Sequence, residues 1–236
     1  MTAKAKRGSA VQTASCEKCG GTGYMVIDDA ARPCECLQAK DLLLAYRRAN
    51  IPRKFLNKTL TGYSAKSQKH KEILAFARSF LKTFRGNHHD HPGKGLLLTG
   101  KEGTGKTHIA IAIVKEVIEK GYTGLYWNVP DLFLELRRRM NAGETESEAD
   151  LFDAARRVDL LVMDDLGAEK TSDYVLDRLY VLINGRYEND CATIITTNRS
   201  PSELKQQVGA RIVSRLGEMC VHVEFPEGDF RLQNLK

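Results

Sequence analysis

Nowhere in the 236-residue chain is there a run of about 18 apolar residues, so no transmembrane helix is expected. No apolar stretch follows the charged start, Met1-Thr-Ala-Lys-Ala-Lys-Arg, which argues against a secretory leader. Internal repeats and long low-complexity tracts are missing as well. Nor is there a strong excess of either charge. The formal net charge of +6 is compatible with nucleic acid as a partner without requiring one. What remains is an ordinary globular composition, 42% hydrophobic and 28% charged, long enough for one α/β domain plus a small appendage or for two small domains. The expected location is the cytoplasm, where thiols stay reduced. Six cysteines there point to metal ligands or buried thiols rather than disulfides, and four of them fall within the first 36 residues.

Along the chain, residues 1–15 read as a disordered basic arm. Residues 16–50 hold the cysteine cluster and a short basic helix over 37–49, which ends before Ile51-Pro52. Residues 51–236 form the main domain. There, apolar residues at Ile73, Leu74, Ala77, Phe80, Leu81 and Phe84 predict a helix over 71–84. From residue 94 onward strands and helices alternate. Strands are expected at 96–98, 125–127, 160–163, 192–196 and 221–225. Helices are expected at 107–120, 130–140, 148–157, 172–187 and 201–216, the last broken near Gly209. Such alternation implies an α/β fold with a mostly parallel sheet covered on both faces.

The segment Gly100, Lys101, Glu102, Gly103, Thr104, Gly105, Lys106 and Thr107 fits G-x-x-x-x-G-K-[ST], with an apolar strand before it and a helix after it. Glycines let backbone N–H groups turn onto phosphate oxygens, and the helix N-terminus adds partial positive charge. Lys106 suits the β- and γ-phosphates of ATP, and the Thr107 hydroxyl suits Mg²⁺. A plain glycine turn would not require Lys-Thr. The apolar run 160–163 then delivers Asp164 to the Mg²⁺ side and Asp165 to the γ-phosphate, where it can orient or deprotonate water; the competing reading is a solvated acidic turn. Thr196-Thr197-Asn198 ends another strand, where Asn198 can hold the attacking water, although Asn-Arg-Ser-Pro is also a good turn sequence. Arg211 and Arg215 share one helix face, either as solvated surface or as a source of an arginine finger, Arg215, that reaches a neighbouring subunit's ATP.

Cys16-x-x-Cys19 and Cys34-x-Cys36 supply four thiolates from two tight turns, a set that closes a tetrahedral Zn²⁺ site. Residues 24–27 followed by Asp28-Asp29 suggest a small hairpin between the pairs. So short a segment cannot bury a core, and the metal would supply its folding energy. Four free thiols in a flexible arm, or an iron–sulfur cluster, are the alternatives. The second pair departs from the commonest zinc ribbon by one spacer residue. Cys191 and Cys220 read as small buried hydrophobes. His88, His89 and His91, with Asp90, read as a solvated loop rather than a metal site.

The order of motifs, from residues 100–107 through Asp164-Asp165-Leu166-Gly167 and Thr196-Thr197-Asn198 to Ser214-Arg215-Leu216, resembles the AAA+ clade of bacterial replicative helicase loaders, the DnaC and DnaI types with their phage relatives. The transposition helper ATPase IstB is close kin. Asn50-Ile51-Pro52-Arg53-Lys54-Phe55 resembles the family's leading segment, and the likeness covers about residues 50–231. It implies an AAA+ P-loop ATPase with a parallel five-stranded sheet. It also implies a protein that binds the replicative helicase through its N-terminal region and single-stranded DNA through its ATPase domain, using ATP as a switch. The cysteine module resembles the zinc-binding start of DnaI-type loaders and separates them from IstB-type helpers, the alternative reading. Two departures stand out: Asp165 replaces the Glu of most AAA+ proteins, and the chain ends eleven residues after Phe225, too soon for a C-terminal lid or its arginine, for which Arg231 is the stand-in candidate. Trp127, Phe133, Arg137, Arg138 and Arg139 fall where family members place a DNA-facing element. Their other reading is a core Trp and Phe beside a solvated basic helix end.

Overall fold

The computed structural model describes residues 16–20, 22–27, 30–86, 94–141, 146–168 and 172–230. Residues 1–15, His88, His89, Asp90, His91, Asp28, Asp29 and Arg231 lie outside that set. The chain divides into two compact units, Met1–Ala45 and Tyr46–Lys236.

In the first unit, β1 (Tyr24–Ile27) and β2 (Ala30–Pro33) pair antiparallel, with Tyr24 opposite Pro33 and Ile27 opposite Ala30. This is the small hairpin expected from the sequence. Helix α1 (Glu35–Arg48) follows directly, with Glu35 in its first turn and Arg47 and Arg48 in its last, both favourable to the helix dipole.

The second unit is built on five strands. After α2 (Gln68–Thr83) come β3 (Gly95–Thr99), α3 (Lys106–Glu119), β4 (Gly124–Asn128), α4 (Val129–Asn141) and α5 (Glu146–Arg157). Then follow β5 (Leu160–Asp164), α6 (Asp173–Glu188), β6 (Thr193–Thr197), α7 (Pro201–Val208), α8 (Ala210–Met219) and β7 (Cys220–Glu224). All pairings in this sheet are parallel, in the order β4-β5-β6-β3-β7. Every residue of β3, β5 and β6 is buried, which explains why these strands read as unbroken apolar runs rather than alternating ones.

Side-chain alternation sorts the sheet's two faces. Leu97, Leu125, Trp127, Leu161, Met163 and Ile195 join Phe133, Leu136, Val175, Leu179, Ile212 and Leu216 in one core beneath α4, α6 and α8. The alternate residues, Leu96, Leu98, Val162 and Ile194, are buried on the face that α3 covers. Trp127 and Phe133 are thus core residues, 5% and 1% exposed, and among the described side chains of the candidate DNA element Arg137 and Arg138 are exposed.

Local chemistry fixes the element ends. Ser67 and Ser172 cap α2 and α6 by accepting from the N–H groups of His70 and Val175. Ser200 and Glu203 form a capping box at α7, with Pro201 in its first turn. The break expected near Gly209 separates α7 from α8, with Gly209 at φ 90 between them. Arg186 of α6 is fully buried. It donates to the carbonyls of Ala155 (2.6 Å), Arg156 (3.2 Å) and Val158 (3.1 Å) at the end of α5, to Ala192 O (2.6 Å) and to Thr193 Oγ1 (2.9 Å).

Candidate nucleotide site and metal centre

The phosphate loop joins the C-terminal end of β3 to the first turn of α3. Gly103 and Gly105 sit at φ 72 and 97, a left-handed backbone that a side chain disfavours. A Cβ on Gly105 would lie 2.8 Å from the Tyr63 ring, and one on Gly103 would strike the Asp229 carboxylate. Thr104 is fully buried, and its hydroxyl donates to Lys101 O at 2.9 Å. Lys106 is 5% exposed, and its ammonium folds inward onto the loop carbonyls of Gly100 (2.6 Å) and Lys101 (2.7 Å). A buried cation held by neutral carbonyls is suited to accept an anion in their place.

Beside the loop, the Thr107 hydroxyl donates to Asp164, 2.9 Å from Oδ1 and 3.2 Å from Oδ2. Asp164 is 2% exposed and accepts two further hydroxyls, Thr196 Oγ1 on Oδ1 and Tyr126 Oη on Oδ2, both at 2.7 Å. A hydroxyl and a carboxylate in contact are the hard oxygen donors that Mg²⁺ prefers, so the residues present fit that ion. The next residue, Asp165, adopts φ 60, a rare conformation outside glycine, and its N–H donates to Thr196 Oγ1 at 3.0 Å. This turn aims Asp165 away from the strand axis, toward the same two cavities that Asn198 and Glu102 line. The larger cavity, about 440 Å³, also exposes Gly103, Gly105, Lys106, Thr107, Lys54, Phe55, Lys58, His108 and Phe230. Its size lies within the range of about 300–1,000 Å³ usual for small-molecule sites.

Among the described residues no helix follows β7. Instead the chain returns along the phosphate loop: Phe225 N–H donates to Thr99 O at 2.8 Å and Phe230 N–H to Gly103 O at 3.0 Å, while Lys101 pairs with Glu227 at 2.6 Å.

Asn198 is exposed at the end of β6. The turn after it is equally real, since Ser200 begins the capping box. Arg215 is not brought to the nucleotide cavities of its own chain. Its guanidinium lies against α6, with Nε donating to Asn184 Oδ1 (2.6 Å), a second nitrogen to Tyr180 Oη (3.0 Å), and its centre 4.8 Å and 5.6 Å from the Tyr180 and Tyr187 rings. Arg211 is exposed. Tyr126 escaped sequence reasoning altogether, because a tyrosine inside an apolar strand has the signature of a core residue.

In the first unit, one sulfur from each of Cys16, Cys19, Cys34 and Cys36 lies within 4.8 Å of all the others. The Cys16–Cys34 and Cys19–Cys36 separations are 3.9 and 3.4 Å. A tetrahedron with metal–sulfur arms of about 2.3 Å has edges of about 3.8 Å, so the donor set fits Zn²⁺. Gly23 N–H donates to Cys19 Sγ at 3.3 Å, and Cys34 N–H to Gly23 O at 2.7 Å, tying the two turns together. Backbone N–H groups of Cys19 and Lys18 hold the Cys16 thiol below its usual range, while the Cys19 thiol and burial push Cys36 up to about 12. Bringing such thiols together favours a cation that converts them to thiolates.

Comparison with known proteins agrees with this geometry. Residues 65–235 match the family described as IstB-like ATP binding protein. The replicative helicase loader DnaC of Escherichia coli (strain K12) is 26% identical over 179 residues, 76% of this chain and 71% of that protein. The replicative helicase loader DnaI of Bacillus subtilis (strain 168) is 32% identical over 134 residues, 56% of this chain and 40% of that protein. A crystal structure of the DnaC helicase loader superposes with a TM-score of 0.66 at 29% identity, covering 74% of this chain and all of that one.

Proposed function

The chain belongs to the IstB-like ATP-binding protein family, and from that premise we propose that it is an ATP-dependent loader. It binds a replicative DNA helicase and places it on single-stranded DNA in the bacterial cytoplasm, with ATP binding and hydrolysis as the switch. The family name alone suits a transposition helper equally well. The observation that carries the loader reading is the likeness to DnaC, which spans 76% of this chain in sequence and 74% in structure. The four-cysteine module adds to it.

In this reading the backbone of residues 100–107 holds the ATP phosphates. Lys106 leaves the loop carbonyls to meet the β- and γ-phosphates, and Thr107 and Asp164 hold Mg²⁺. That ion, when bound, neutralises phosphate charge and orients the γ-phosphate. Asp165 and Asn198 position the attacking water, Asp165 accepting its proton. Asp is one methylene shorter than Glu, which suits a slow switch better than a motor. Cys16, Cys19, Cys34 and Cys36 would hold Zn²⁺, which would supply folding energy to the N-terminal module, residues 16–50, that grips the helicase. Arg215 of α8 would leave its partners on α6 to reach the ATP of a neighbouring subunit, so hydrolysis follows assembly.

Size-exclusion chromatography of the chain with the host's replicative helicase and ATP tests the loader reading. Comigration is expected. Failure to comigrate, together with stable assembly on a transposase, would instead make the protein a transposition helper.

A further inference from the structure

A tyrosine hydroxyl stands behind the candidate cation site. Tyr126 lies in the middle of β4, level with Val162 and diagonal to Asp164 in the adjacent strand. Its neighbour Trp127 points into the core under the helices, so the alternation of the strand turns Tyr126 the other way, onto the face that carries the phosphate loop. Tyr126 is 5% exposed and its hydroxyl donates to Asp164 Oδ2 at 2.7 Å.

We infer that Tyr126 is a positioning residue for the divalent cation of the nucleotide site, its hydroxyl fixing the plane and charge of the Asp164 carboxylate from the buried side. The inference rests on the reading of Asp164 as the carboxylate that holds the cation. Of the three hydroxyls on Asp164, that of Thr107 sits at the mouth of the helix and is the one whose lone pair is needed by the ion. With that hydroxyl given to a bound ion, the donors left on Asp164 among the described residues would be Thr196 on Oδ1 and Tyr126 on Oδ2. A buried carboxylate stripped of donors is costly, and a rotating one is a poor ligand. Thr196 is divided between duties, because it also accepts the Asp165 N–H. Tyr126 gives its one hydroxyl hydrogen to Asp164 Oδ2 from a buried position.

The test is a Mg²⁺ titration of fluorescent-ATP binding to the full chain, comparing the parent with Y126F and D164N. Y126F removes one oxygen and keeps the ring. Its half-saturating Mg²⁺ concentration should rise about tenfold, the usual scale for losing an outer-sphere partner. Nucleotide affinity in EDTA should stay at the parent value, a split that a purely structural role does not give. D164N should lose the Mg²⁺ dependence altogether. If D164N loses it and Y126F titrates like the parent or more tightly, the inference is overturned and the Asp164 reading stands. If Y126F loses binding in EDTA as well, its role is packing and the inference again falls. If D164N titrates normally, the cation site itself is misplaced and both fall together.

Discussion

Asp165 occupies a left-handed backbone position that few residues other than glycine accept, immediately after a strand whose every residue is buried. That position moves its carboxylate off the strand and into the cavities shared with Asn198. D165N keeps the shape and the negative end of the side-chain dipole but cannot accept a proton. ATP should therefore bind as before, while steady-state hydrolysis falls about 100-fold, the low end for losing a general base. Phosphate release with normal turnover would reassign Asp165 to the surface. Arg186 makes the opposite case, a charged residue with purely structural work. Five hydrogen bonds tie it to the end of α5 and the start of β6, and burial pulls its guanidinium down to about 10, still charged at neutral pH. R186M should lower unfolding stability by about 3 kcal/mol, because the carbonyls it leaves are buried. Denaturant unfolding measures this, and an unchanged midpoint would contradict it. The phosphate loop was legible in the sequence because it is a backbone device with fixed glycine spacing. Arg186 and Tyr126 were not, since an arginine near a helix end reads as solvated and a strand tyrosine as core. Only tertiary packing tells which polar tip is buried and against what.

At the level of elements, the strand and helix order was readable from apolar periodicity, with ends displaced by up to three residues, as expected where caps rather than periodicity set the boundary. For the aromatics the sequence left two readings open, a DNA-facing element or a core Trp and Phe, and the structure agrees with the second. Trp127 and Phe133 sit beside Arg137 and Arg138 in sequence, yet the strand and helix turn the rings inward and leave the arginines outside. The cysteine spacing anticipated four converging sulfurs, because two tight turns leave them little other freedom. Purified protein should carry about one zinc per chain by elemental analysis. C16S/C19S should lose both metal and helicase binding while keeping ATP affinity, since the phosphate loop lies in the other unit. Metal-free protein with full helicase binding would contradict the module's role. For α8, Arg215 rests on a platform of Tyr180, Asn184 and Tyr187, away from its own chain's nucleotide cavities. R215A should bind ATP normally and hydrolyse it slowly, most clearly when helicase or single-stranded DNA promotes assembly. Mixing R215A with K106A should restore activity, because an intact pocket in one chain meets an intact arginine in the other. No recovery, with a clear loss in R215A alone at high dilution, would place Arg215 within its own chain's chemistry and make Arg211 the candidate.

The whole molecule combines a small unit that gathers four thiols with a unit built on a five-stranded parallel sheet, whose candidate nucleotide site lies where strands end and helices begin. That division fits a protein that holds a partner with one unit and reports nucleotide state with the other. The loader account is tested most directly by helicase-dependent unwinding on circular single-stranded DNA coated with single-strand-binding protein, a template that offers the helicase ring no free end. With the chain and ATP present, the host's replicative helicase should unwind an annealed strand, and omitting the chain or replacing it by K106A should abolish that activity. Equal unwinding with and without the chain, or full activity with K106A, would contradict the account.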